Sequence, residues 1–115
     1  MTIIINATME IDPAHAERIV LDAKDLIEAS LAEPGCEAYS WALDPLHPGR
    51  VEVFERWRDE ASLANHFTLP NYTVMRTHLR SAGPIKSTSR KYRVAHDEPV
   101  YDDSGTPRAD FFTAA

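Results

Sequence analysis

Residues 33–66 read EPGCEAYSWALDPLHPGRVEVFERWRDEASLANH. The first three residues stop a helix, because proline cannot continue the hydrogen-bond ladder and glycine suits the turn that follows. Cys36–Leu43 and Val51–Trp57 carry Tyr39, Trp41, Val51, Val53 and Phe54, residues that favour a pleated surface. Between them lies DPLHPGR, whose two prolines and glycine suit a loop and not a central strand. Asp59–Phe67 then reads as a short helix. The stretch is therefore helix end, hairpin and helix start, and it contains the only cysteine and both tryptophans of the chain.

Working outward, residues 2–11 alternate. Ile3, Ile5, Ala7, Met9 and Ile11 make one apolar face, and Thr2, Ile4, Asn6, Thr8 and Glu10 make a mixed one, the period of a strand. Asp12-Pro13 predicts a helix start with Asp12 as N-cap, and Ala16, Ile19, Val20, Ala23, Leu26, Ile27 and Ser30 form one stripe running to Leu31. After Leu69-Pro70, a helix over 71–82 places Tyr72, Met75, Leu79 and Ala82 on one side. Gly83-Pro84 ends it, and a polar strand is expected over 85–96.

The order is β-α-β-β-α-β, an α+β, ferredoxin-like unit. It predicts one domain over 1–96, followed by a tail over 97–115 that is acidic yet carries Tyr101, Phe111 and Phe112. Such a tail is either disordered or an arm whose aromatics dock on a partner subunit. Two helices on one face of a single sheet leave the other face bare. The Ile3–Ile11 row is expected there, and pairing two such faces across a two-fold axis would cover it, so a homodimer is expected.

Composition narrows the function classes. The chain has 115 residues, 43% hydrophobic and 26% charged, the balance of an ordinary globular domain. It has no apolar run of the ~20 residues needed to span a bilayer and no basic segment at its start, so a cytoplasmic location and no membrane partner are expected. A net charge of −6 argues against nucleic acid. One cysteine makes no internal disulfide, and no metal-ligand spacing surrounds it. Half of the 12 Lys and Arg residues fall between Arg76 and Arg93, with no acid among them. That run reads either as a solvated strand pairing with the acidic tail or as an anion-attracting rim.

The motifs EPGCEAY, then DP, FERW, NHF and LPNY in this order resemble the antibiotic biosynthesis monooxygenase family over about residues 1–96. The resemblance implies a dimeric α+β barrel. It also implies a cofactor-independent monooxygenase, with no metal, oxidising a small quinol-like or polyketide-like aromatic with molecular oxygen. The alternative it leaves is an isomerase or binding protein for a small anionic, phosphorylated metabolite. The family's haem-degrading members are a poor match. They carry tryptophan where this chain has His66, and the iron-ligating histidine where it has Arg76, a side chain that cannot ligate iron.

Candidate site residues follow from chemistry and position together. Asn6 is an amide within a strand, where it needs a partner, and it matches the family's strand asparagine. Trp57 brings an N–H donor and a drying wall, or is simply a core residue. His66 supplies an imidazole able to accept a proton near neutral pH, although a helix C-terminus also favours histidine. These three are the expected catalytic set. Tyr39, Tyr72, Met75, Arg76 and His78 are expected to line the substrate pocket. Cys36 has no base beside it and is assigned no catalytic role.

Overall fold

The computed structural model describes residues 1–113. Its elements are β1 (Ile3–Glu10), α1 (Ala16–Asp22), α2 (Lys24–Leu31), β2 (Cys36–Leu43), β3 (Arg50–Trp57), α3 (Glu60–Thr68), α4 (Pro70–Leu79) and β4 (Lys86–Arg93). The four strands form one sheet in the order β2-β3-β1-β4, and every neighbouring pair is antiparallel. This is the α+β, ferredoxin-like arrangement expected from the element order. No helix among the described residues is long and apolar enough to cross a membrane.

Two local expectations need correction. Asp12 does not cap a helix at Pro13. Its Oδ1 accepts from the Ala14 amide at 2.9 Å and closes a turn, so α1 starts only at Ala16. The expected single helix to Leu31 is interrupted at Ala23, whose amide turns back to Val20 O, three residues earlier. The apolar stripe survives the break, since Ala16, Ile19, Ala23 and Ser30 are all buried. The second half has cleaner caps. Asp59 Oδ1 accepts from the Ser62 amide at 2.8 Å, and Pro70 opens α4 where its missing N–H costs nothing.

The larger correction concerns the sheet faces. The row from Ile3 through Ile11 is not bare. It is the row that the chain's own helices cover, with Ile3, Ala7 and Ile11 buried alongside Val51, Val53 and Trp57. Burial goes to the most apolar row a strand offers, and alternation then turns Ile4, Asn6 and Thr8 to the opposite side. Register places Phe54 and Arg90 beside Asn6, and Arg56 and Tyr92 beside Ile4. The bare face thus carries Ile4, Phe54 and, on its edge strand, Tyr92, the last two substantially exposed. Ion pairs border it, Arg50 with Glu10 at 2.8 Å and Arg56 with both Glu37 and Asp97 at 3.1 Å.

The described part of the tail, to Thr113, folds mostly on itself. Asp102 Oδ1 accepts from the Ser104 and Thr106 amides and from the Ser104 hydroxyl, and Tyr101 bridges to Pro107. Val100, Tyr101 and Phe111 stay exposed. The radius of gyration, 16.3 Å, exceeds the roughly 13 Å of a compact chain this long, as a projecting arm requires. Glu98 ties the arm's two ends together. Burial disfavours its charge. Hydrogen bonds from His96, the Phe112 and Thr113 amides and the Thr113 hydroxyl outweigh that and pull its pKa down to about 2. A carboxyl depressed in the folded state stabilises above its ordinary value and loses that contribution as pH falls through the folded one. The Phe112 and Thr113 amide resonances are therefore expected to stay native at pH 4 and to move with a midpoint near pH 2. A midpoint near the ordinary 4.5 would show that the clasp is absent in solution.

Candidate functional site

A cavity of about 370 Å³ opens between the helix-covered sheet face and α3–α4, a volume typical of small-molecule sites. Its floor follows from strand register. Tyr39, Glu55 and Ile5 form one row across β2, β3 and β1, and Trp41, Val53, Ala7 and Ser89 form the next across all four strands. Met9 and Ser87 continue toward β4, while His66, Phe67, Tyr72, Met75, Arg76 and Arg80 form the roof and rim.

His66 is the centre of this arrangement. It is 2% exposed, and its Nδ1 lies 2.8 Å from Glu33 Oε1. A carboxylate only accepts, so the imidazole donates from Nδ1, and in the neutral imidazole Nε2 then carries the lone pair. Nε2 makes no hydrogen bond among the described residues, and His66 lines the cavity. The ring is boxed by Trp57 at 4.6 Å between centroids, Tyr72 at 5.6 Å, and Tyr39 and Phe67 at 5.8 Å. Glu33 is itself buried, and its other oxygen accepts from Asn71 Nδ2 at 3.1 Å. A buried carboxylate thus orients a buried imidazole whose second nitrogen is left for a ligand, the geometry of a positioned proton acceptor.

Among the described residues, Glu55 is the one carboxylate lining the cavity. Burial raises its pKa, against the Trp57 N–H bond and the nearby His66, which lower it. Trp57 Nε1 donates to Glu55 Oε1 at 2.9 Å. Burial pushes the Tyr39 phenol well above its usual range, with Glu55 adding to the effect. The Cys36 thiol is pushed up to about 11 by burial and by Glu33 and Glu55, so it stays protonated near neutrality and is a poor nucleophile.

The expected site residues divide cleanly. His66, Tyr39, Tyr72, Met75 and Arg76 meet around the cavity. Trp57 is fully buried behind His66, does not line the cavity, and acts on it only through the His66 ring and Glu55. Asn6 is not in the pocket. It stands exposed on the bare face, because it follows Ile5 and precedes Ala7, which both point inward. His78 is also outside the pocket. Its Nε2 sits 2.7 Å from the Ile19 carbonyl and joins α4 to α1.

Sequence reasoning missed Glu33, Glu55, Trp41 and Phe67. Glu55 had a signal, as the only charge in the inward row Val51, Val53, Glu55, Trp57. Trp41 follows Tyr39 by two residues and so shares its face. Glu33 had none, since its partner lies 33 residues away.

The family model described as antibiotic biosynthesis monooxygenase matches residues 2–77. The uncharacterized protein sll1783 of Synechocystis is 31% identical over 70 residues, which cover 61% of this chain and 48% of that protein. The match thus spans about half the length of that relative. Among solved structures, a conserved protein from Methanosarcina mazei Go1 superposes with a TM-score of 0.72 at 25% identity, over 81% of this chain and 92% of the other. An antibiotic biosynthesis monooxygenase superposes at 0.71 with 24% identity, over 84% and 100%. Rv0793 from Mycobacterium tuberculosis gives 0.67 and 22%, over 85% and 98%. The last two likenesses speak for the fold alone.

Proposed function

Because this chain belongs to the antibiotic biosynthesis monooxygenase family, we propose that it is a cofactor-independent monooxygenase acting on a small quinol-like or anthrone-like aromatic. The observation that carries the reading is His66, which lines an aromatic-walled cavity, is held by Glu33 through Nδ1, and has no hydrogen bond to Nε2 among the described residues. In the reaction, Nε2 takes a proton from the activated C–H or O–H of the substrate. The resulting anion passes an electron to molecular oxygen, and the two radicals combine to a carbon-bound peroxide once the proton returns. Loss of water leaves a carbonyl, so that a CH2 group and O2 become C=O and H2O. The chain's part is to hold the proton, to stack the ring against Tyr72 and Phe67, and to keep water from the peroxide.

Oxygen uptake with a panel of quinols and anthrones tests this. Uptake with at least one of them, with water and a quinone or ketone as products, is the expected result. No uptake with any, together with tight binding of a metabolite recovered from the purified protein, removes the oxygenase reading. A second reading, an isomerase or binding protein for a small anionic metabolite, is favoured by one observation: Arg76 and Arg80 both line the cavity.

Two copies pair through the bare sheet face in this proposal, covering Ile4, Phe54 and Tyr92 and burying Asn6 at the interface. Sedimentation at low micromolar concentration is expected to give a dimer, and Phe54→Glu a monomer. A monomeric wild-type chain would refute the pairing.

A further inference from the structure

Three elements converge on one carboxylate. Glu33 lies just beyond the end of α2, His66 in the last turn of α3 and Asn71 in the first turn of α4. The Glu33 backbone is fixed on both sides. Its amide donates to the Ser30 carbonyl, and its own carbonyl accepts from the Cys36 amide, each at 3.1 Å. The side chain keeps its freedom, and the carboxyl plane turns about a soft torsion. Two bonds hold that plane. Oε1 accepts from His66 Nδ1 at 2.8 Å, and Oε2 accepts from Asn71 Nδ2 at 3.1 Å. No other donor reaches the Glu33 side chain among the described residues. Asn71 itself is not among the residues that line the cavity.

Leu69-Pro70 explains how Asn71 arrives there. In one unbroken helix, residues 66 and 71 would point about 140° apart. The proline instead holds Leu69 in extended backbone, with φ −84° and ψ 152°. The next helix starts afresh, and its first turn brings Asn71 to the carboxylate that His66 already holds. We infer that Asn71 is a positioning residue: by gripping Glu33 Oε2, it locks the His66 ring with its hydrogen on Nδ1 and leaves Nε2 as the acceptor. The inference rests on the oxygenase reading for the use of that acceptor and deepens it by adding the residue that fixes it. A neutral histidine ring can carry its single hydrogen on either nitrogen, and the bond made at one decides the other. A carboxylate anchored through one oxygen can swing, and the ring is then free to change tautomer. A second anchor removes that freedom. Preorganisation of this kind raises turnover without adding a contact to the substrate.

Nuclear magnetic resonance of isotope-labelled ring nitrogens in the full-length protein tests the lock, because it reports which nitrogen carries the hydrogen. The His66 signals are those missing from His66→Gln. In the neutral ring, the wild type is expected to show the Nδ1–H tautomer alone. Asn71→Leu keeps most of the volume and removes the donor, and Nε2–H signal is expected to appear there. With a quinol or anthrone that the wild type oxidises, kcat of this variant is expected to fall about 10- to 100-fold at nearly constant KM. That is the range for losing a group that orients a reacting one. Asn71→Asp keeps the shape but sets a second carboxylate against Glu33, and is expected to shift the tautomer in the same direction. Asn71→Gln retains an amide donor and is expected to recover much of both readouts. A side chain that served packing alone would change the melting temperature in all three and leave the tautomer untouched. Nε2–H in the neutral wild-type ring, or a folded Asn71→Leu that keeps the Nδ1–H tautomer alone, overturns the assignment. If Asn71→Leu does not fold, Asn71→Asp decides by the same criterion. The two levels separate in the outcome. A tautomer shift without oxygen uptake by the wild type removes the oxygenase and leaves the lock. Oxygen uptake that Asn71→Leu matches in both kcat and tautomer removes the lock and leaves the oxygenase.

Discussion

His66→Gln is expected to lower oxygen-dependent turnover by about 10²- to 10⁴-fold, the usual contribution of a positioned proton acceptor, which corresponds to about 3–5 kcal/mol of barrier. Glutamine keeps the polar character and much of the volume in the box formed by Trp57, Tyr39, Tyr72 and Phe67. It also keeps an N–H for Glu33 but has no basic nitrogen to turn toward the cavity. Substrate affinity is therefore expected to change little while turnover collapses, and thermal unfolding of the variant confirms that the box is intact. Turnover within a few-fold of wild type in a folded variant would take the proton from His66 and pass it to the carboxylate that lines the cavity, Glu55. The Glu55→Gln variant reads that alternative directly.

Gly35→Ala is expected to be strongly destabilising, by about 2–5 kcal/mol. Gly35 has φ of +82°, where an added Cβ costs about 1–2 kcal/mol. That Cβ would also collide with the Ser62 side chain on α3, and overpacking adds about 1–3 kcal/mol. Urea unfolding at constant slope measures the sum. Ser62→Gly in the Gly35→Ala background recovers the collision and not the backbone strain, so partial rescue is expected. A loss below about 1 kcal/mol would mean that the turn relaxes freely. Activity is expected to suffer as well, because Glu33 precedes this turn by two residues and its hold on His66 depends on where the turn sets it.

The strands were legible because their alternation is strong: β2 and β3 appear within one residue of their expected bounds. The same alternation misled on Asn6. Both rows of β1 contain isoleucine, and a single strand does not say which row its own helices will cover. That decision belongs to the whole inner surface, where Val51, Val53 and Trp57 side with Ile3 and Ala7. His66 was legible from its place in NHF, whereas Trp57 proved to be a wall behind the site and not part of its surface. Glu33 looked like punctuation because proline and glycine follow it. Its role exists only in three dimensions, through a hydrogen bond to α3.

The Glu33–His66 bond also bears on how this fold can be taken apart and recombined. The carboxylate closes the first β-α half and the imidazole belongs to the second, with the entire hairpin between them. A chimera joining the first half of one relative to the second half of another would keep sheet order and helix packing as long as apolar volumes match. It would inherit the oriented proton acceptor only if both parents already held an acid and a histidine at these two places. Architecture in this chain is modular by halves; the Glu33–His66 pair is not.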